Sequence, residues 1–154
     1  MNEPTTYFLT WTTYGSWLPG DPRAWVNHHN AGPEAPVWNE NKGLAEHSQF
    51  CRKQEKVVLT SRQRECVETV IQQICEFRVW SLLAINVRTN HVHVVVTATE
   101  SPERVMNTFK SWASRKLNEI NGQKIRWWTR HGSTRYVNQD SHLKAAIRYV
   151  MEQQ

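Results

Sequence analysis

Cysteine is scarce in this chain and follows no pattern. Cys51, Cys66 and Cys75 are the only three in 154 residues, and no two form a Cys-x-x-Cys pair. That excludes a disulfide framework and a thiolate metal knuckle as organising devices, and reduced thiols are expected. Long apolar runs are also missing. No segment approaches the ~20 residues that a helical membrane span needs, so no membrane partner is expected. The first residues, Met-Asn-Glu-Pro-Thr-Thr, lack a basic stretch followed by an apolar one. No secretory signal is read there, and a cytoplasmic protein is expected. Acidic residues run short toward the end. From Arg104 to Arg148 ten Lys/Arg stand against two Asp/Glu, whereas the residues before Arg104 hold nine basic and eleven acidic side chains. A basic last third points to a polyanion, most often nucleic acid.

Glycine and proline are few and unevenly placed. Four of the six prolines and four of the six glycines fall between Gly15 and Gly43. No hydrophobic period runs from there to about Val57. Residues 15–57 therefore read as a long loop insertion in a single domain spanning 1–154, with Trp17, Trp25 and Trp38 available to pin it to the body. Eight tryptophans in all is a high count. Their rings suit unpaired bases beside basic side chains, and they suit a hydrophobic core equally well.

Outside the insertion the periods are clear. Tyr7–Thr13 is aromatic and β-branched and reads as a strand, with Tyr7 a core residue and Tyr14 a turn residue. Thr60 and Gln63 have capping-box spacing, and Val67, Val70, Ile71 and Ile74 form a helical stripe to Phe77. Val79–Val87 and His91–Ala98 read as an antiparallel hairpin around Arg88-Thr89-Asn90. Ser101-Pro102 opens a helix with Val105, Phe109, Trp112, Ala113 and Leu117 inward, and Asn121-Gly122 stops it. Trp127-Trp128, one ring inward and one outward, and Thr134–Val137 read as short strands around Gly132. Asp140 or Ser141 caps a last helix through Leu143, Ala146, Ile147 and Val150. The first six elements give an α+β fold: a ferredoxin-like antiparallel sheet with helices on one face, followed by an extra C-terminal helix.

Chemistry concentrates in two places. His91-Val92-His93 opens a valine-rich strand, so the two imidazoles point to one face while Val92, Val94 and Val96 point to the other. Such a pair can hold one divalent metal, although short His-x-His patterns also arise on ordinary strands. On the last helix Tyr149 and Gln153 lie four apart and share a face. A phenol is a candidate nucleophile and a carboxamide oxygen a candidate hard ligand. Tyr136 is a competing nucleophile, but it sits in a strand with no polar partner at helical spacing. The basic residues Lys110, Arg115, Lys116, Lys124, Arg126, Arg130 and Arg135 are candidate contacts to backbone phosphate.

His91-Val92-His93 on a middle strand, with Tyr149-x-x-x-Gln153 on a final helix, resembles the single-tyrosine HUH endonucleases. These are the small insertion-sequence transposases and the REP-associated tyrosine transposases. Trp128-Thr129-Arg130-His131-Gly132-Ser133 also looks like that family's approach to its tyrosine helix. The resemblance implies a DNA-nicking and rejoining transposase acting on single-stranded, hairpin-forming DNA. It implies Tyr149 as the nucleophile, with His91, His93 and Gln153 holding Mg²⁺ or Mn²⁺, and a 5′-phosphotyrosine intermediate. A homodimer is among the assemblies it implies, and so is association with the nucleoid through DNA. The long insertion departs from the pattern and bears on which DNA structure is recognised. A different class of function is a DNA-hairpin-binding protein of the same fold without transposition activity. A ferredoxin-like RNA-binding domain would need exposed rings on the central strands, where only Trp80 is on offer.

Overall fold

The computed structural model describes residues 3–16 and 54–152. Nearly all of the 15–57 insertion, including its three tryptophans, lies outside the described residues, and so does Gln153. The described elements are β1 (Thr5–Thr13), α1 (Ser61–Arg78), β2 (Ser81–Val87), β3 (His91–Ala98), α2 (Pro102–Asn121), β4 (Trp128–Tyr136) and α3 (Asp140–Glu152). The strands form one sheet in the order β2-β3-β1-β4, and every neighbouring pair is antiparallel. This is the split βαβ arrangement expected from the element order.

Local chemistry explains the helix ends. Thr60 Oγ1 accepts from the Gln63 N–H at 3.2 Å, and Gln63 Oε1 accepts from the Thr60 N–H at 2.8 Å, closing the capping box of α1. Val79 does not open β2 as its β-branched side chain suggests. It caps α1 in the left-handed region at φ 59°, so the strand begins two residues later at Ser81. Ser101 and Pro102 start α2, and Gly122 ends it at φ 73°, where a side chain would be strained. β4 is one continuous strand, not two pieces around Gly132.

The pleat sends alternate residues to opposite faces. On one face Tyr7, Leu9 and Trp11 of β1 and Val92, Val94 and Val96 of β3 pack against Val67 and Ile71 of α1 and Val105, Phe109, Ala113 and Leu117 of α2. Trp127 and Trp128 both join this core at 2% and 6% exposure, which corrects the expectation that one ring would point outward. Each indole finds an acceptor there: Trp127 donates to Asn118 Oδ1 at 2.8 Å, and Trp128 to the Lys110 carbonyl at 3.0 Å. Those acceptors make full burial of both rings affordable. Trp112, by contrast, is 48% exposed and carries the Arg115 guanidinium 4.8 Å from its ring centre.

The opposite face carries α3. Ala84 of β2 and Val95 of β3 meet Ala146 and Val150, with Phe8, Val137, Leu143 and Ile147 partly buried around them. The sheet is therefore covered on both sides, with the core-building helices on one and the terminal helix on the other. No described helix is long and apolar enough to cross a membrane.

Candidate nucleic-acid active site

Strand register gathers the site on the α3 face. His91 pairs with Thr12, His93 with Thr10, and Val95 with Phe8 across β3 and β1. Directly paired residues in an antiparallel sheet share a face. On the outer neighbours Asn86 of β2 pairs with His93, while Ser133 and Arg135 of β4 pair with Thr10 and Phe8. Histidines, threonines, a serine, an asparagine and an arginine thus line one side of a sheet whose other side is almost wholly apolar.

The two imidazole rings lie 4.7 Å apart, centre to centre. Each uses Nδ1 for a local hydrogen bond. His91 Nδ1 is 2.8 Å from Asn90 Oδ1, an acceptor, so the proton belongs on His91 Nδ1 and the lone pair on Nε2. His93 Nδ1 is 2.9 Å from Thr10 Oγ1, a hydroxyl that can take either part. When it accepts, His93 presents the same tautomer as His91. Burial pushes the His93 imidazolium down to about 4, and the positive charges of His91 and Arg88 add to the effect. His91 is lowered by burial first and by Arg88 second. Both rings are therefore neutral near pH 7, the state in which imidazole ligates a metal.

With Thr10 as the acceptor, two neutral imidazoles have Nδ1 tied back and the lone pair on Nε2, which fits a divalent cation. Among the described residues no group of three His, Cys, Asp or Glu gathers, so further ligands would have to be of another kind. The carboxamide of Gln153 is of that kind, but this candidate lies outside the described residues.

Tyr149 stands over the histidines. Its ring centre is 5.5 Å from that of His93 and 5.9 Å from that of Phe8, and Phe8 lies 5.7 Å from His93, so the three rings pack together. Tyr149 is still 48% exposed, which leaves it open to a large substrate. Tyr136 is placed differently. It pairs with Tyr7 on the core side of the sheet, its ring 5.4 Å from Tyr7, with the sheet between it and the histidines.

The basic candidates divide. Lys110 is corrected: it is buried at 8% exposure, and its ammonium donates to the carbonyls of Thr129 (2.8 Å) and Arg130 (3.4 Å), so it is not a phosphate contact. Burial pushes it down to about 8, with the Arg126 charge contributing. Arg115 and Lys116 are exposed on α2, across the sheet from the histidines, and Lys116 pairs with Glu119 at 3.1 Å. Lys124, Arg126 and Arg130 are exposed, and the Arg126 guanidinium lies 5.4 Å from the Tyr14 ring centre. Arg135 is exposed and shares the face of His93 through its pairing with Phe8.

Sequence reasoning missed Thr10, Asn90 and Phe8 as parts of the site. Their signal was faint: Phe8, Thr10 and Thr12 alternate with the core residues of β1, but nothing in the sequence says which strand lies beside β3. Asn86 was missed for the same reason. It donates from Nδ2 to the Val150 carbonyl at 3.0 Å, on the helix that carries Tyr149.

Comparisons with known proteins bear on the family and the fold. The family model described as "Transposase IS200 like" matches residues 41–153. A solved structure of a REP-associated tyrosine transposase bound to a REP hairpin superposes with a TM-score of 0.51 at 10% identity, covering 97% of this chain and 67% of that one. A crystal structure of a protein from Deinococcus radiodurans R1, assigned as a transposase, gives a TM-score of 0.53 at 14% identity, covering 99% and 92%. No curated protein sequence matches the chain.

Proposed function

The chain belongs to the IS200-like transposase family, and from that premise we propose that it nicks and rejoins single-stranded DNA through a covalent tyrosine. The supporting observation is the contact between Tyr149 and His93, which sets an accessible phenol beside two neutral imidazoles on one sheet face. A phenol is a weak nucleophile while protonated, and a phosphodiester repels anions, so the reaction needs both positioning and positive charge.

In this reading Tyr149 Oη attacks the phosphorus and the bond to the 3′ oxygen breaks. The phenol proton is lost and the departing oxygen gains one, leaving a 5′-phosphotyrosine and a free 3′-OH. Attack by a second 3′-OH on the phosphotyrosine reverses these steps and rejoins DNA with no external energy source. Phe8 and His93 hold the Tyr149 ring, Thr10 orients the His93 ring, and Asn90 fixes the tautomer of His91. His91 and His93, with Gln153 as a third ligand, would hold Mg²⁺ or Mn²⁺, which when bound supplies Lewis-acid polarisation of the phosphate oxygens. Arg135 is the basic side chain best placed to receive a phosphate on this face. The solved relative carrying a REP hairpin supports hairpin-forming DNA as the substrate class.

The test is a denaturing gel of labelled single-stranded hairpin DNA, from the flanks of the protein's own gene, incubated with the protein and Mn²⁺ or Mg²⁺. Label travelling with protein, dependent on the cation and absent in Tyr149→Phe, is the expected result. A native-gel shift with no covalent band would instead favour a hairpin-binding protein without strand chemistry. Undiminished adduct in Tyr149→Phe would move the nucleophile elsewhere, with Tyr136 the first to examine.

A further inference from the structure

The hairpin between β2 and β3 sets a cation beside the histidines. Strand pairing runs through Asn86–His93 and Val87–Val92. It continues one step further, because the Arg88 N–H donates to the His91 carbonyl at 2.8 Å. Arg88 therefore stands opposite His91 and, like Asn86, belongs to the face of the two imidazoles. Only Thr89 and Asn90 separate the pair, and both are held. The Thr89 carbonyl accepts from the Leu59 N–H at 2.8 Å, and the Asn90 carbonyl from the Thr13 N–H at 3.0 Å. The Asn90 side chain holds His91 as well. The root of Arg88 is thus fixed to the same frame as the histidines.

Arg88 is half-buried, and both rings feel its charge, which lowers the proton affinity of His91 and of His93. A guanidinium in that place opposes the site while no DNA is present. It repels a divalent cation on the imidazoles just as it repels their protons. The balance reverses when a phosphodiester arrives, because one anion attracts both positive charges. The other arginines of this region are placed differently. Arg148 pairs with Glu152 at 3.9 Å. Arg135 is on β4, so β1 lies between it and the histidine strand, which suits a phosphate flanking the reacting one.

We infer that Arg88 is a catalytic residue whose guanidinium grips the non-bridging oxygens of the phosphate that Tyr149 attacks, from the β2 side of the histidine pair. The inference rests on the reading of Tyr149 as nucleophile. Two parallel N–H donors of a guanidinium match two phosphate oxygens. Charge that builds on those oxygens during attack is stabilised with no proton leaving Arg88. The bonds made and broken stay those of the nicking step. The first test needs neither metal nor catalysis: the labelled single-stranded hairpin DNA is bound in EDTA across a salt series. Arg88→Met is expected to bind more weakly and to lower the slope of log K against log [salt] by about 0.7, the share of one phosphate contact on a single strand. Arg88→Lys, which keeps the charge, should keep the slope. Single methylphosphonates, each removing one phosphate charge, then locate the contact. One position should erase the difference between wild type and Arg88→Met, and it should be the position at which the adduct forms. An unchanged slope would overturn the inference, and so would a sensitive phosphate away from the cleaved one. If urea melts show that Arg88→Met is unfolded, Arg88→Gln is read in the same way.

The second test separates Arg88 from a residue that only supports the fold. Without DNA, Arg88→Met should bind Mn²⁺ more tightly by about twofold to tenfold in calorimetry, because a like charge is gone. With DNA, it should form the covalent adduct about 100-fold more slowly. Arg88→Lys should be slower by about tenfold, since it keeps the charge and loses the fork. A side chain that merely held the site together would lose metal binding and adduct together, so weaker Mn²⁺ binding in Arg88→Met would overturn the inference. Wild-type protein that forms no adduct under any divalent cation would sink the proposed nicking activity, and the salt slope would still decide whether Arg88 meets a phosphate.

Discussion

The two faces of the sheet are built on different terms. The face toward α1 and α2 is lined with large apolar side chains. Trp11 stacks on Phe109 with ring centres 6.3 Å apart, and Trp128 meets Trp11 edge-on at 6.0 Å. The face toward α3 carries alanine and valine under the helix and a row of polar side chains beside it. Stability comes mainly from the first face, because the gain on burial scales with the apolar area removed from water. The second face is left free to carry groups that contribute to chemistry more than to folding. β1 and β3 serve both at once, which is possible because a strand's side chains alternate.

That division can be tested, and the largest effect expected is on the α3 face. Tyr149→Phe should abolish the covalent adduct while changing the unfolding free energy by no more than about 0.5 kcal/mol, as for an exposed substitution. Urea melts set beside the denaturing gel would check both halves, and a large loss of stability would break the division. Phe109→Ala should show the reverse. It removes a fully buried ring and is expected to cost about 3–5 kcal/mol in urea unfolding. Divalent-cation binding at the histidines should persist wherever the protein remains folded.

Gly132→Ala joins the two faces. A Cβ at Gly132 would lie 2.6 Å from the Thr10 carbonyl oxygen and 2.7 Å from Met106 Sδ. Methionine can yield, but the β1 backbone cannot, so overpacking of about 1–3 kcal/mol is expected. Because Thr10 holds His93, adduct formation should fall with stability in this variant, measured by the same pair of assays. Thr10→Val is milder. It removes the hydroxyl at His93 Nδ1 and is expected to weaken Mn²⁺ binding by calorimetry about tenfold. Stability should fall by about 1 kcal/mol.

The smallest effect is a pH dependence on the core side. The folded Lys110 releases its proton near 8, below the ordinary 10.5 that applies when unfolded. Between these values the unfolded chain binds more protons than the folded one, so the Lys110 contribution to stability rises with pH and is lost as pH falls through about 8. Chemical denaturation at pH 8 and pH 10 should show wild type gaining on Lys110→Met at the higher pH. A constant difference between the two proteins would mean that Lys110 stays charged in its carbonyl cradle.

Much of the fold was legible because its signals are local. The capping box at Thr60 and Gln63, the proline after Ser101, the glycine after Asn121 and the alternation of Val92, Val94 and Val96 all act within a few residues. The local reading failed where a long-range partner overrode propensity. Trp127 and Trp128 both turned inward because Asn118 and the Lys110 carbonyl were waiting for their indole N–H groups. Trp112 turned outward although it fell on the apolar stripe of α2. Lys110 looked like one more basic surface residue until β4 supplied two carbonyls for its ammonium.

Spacing along the chain is enough to read the pieces of the candidate site: two histidines on one side of β3, a tyrosine on an amphipathic terminal helix, and a surplus of positive charge in the last third. Strand and helix periods establish these, since they depend only on spacing along the chain. Long-range packing is what puts α3 on the face opposite α1 and α2, brings Tyr149 rather than Tyr136 to His93, and sets Thr10, Asn86 and Phe8 around them. Those outcomes depend on which strands are neighbours and in what register. Register is set by the fit of whole faces to one another, and no single segment contains that information.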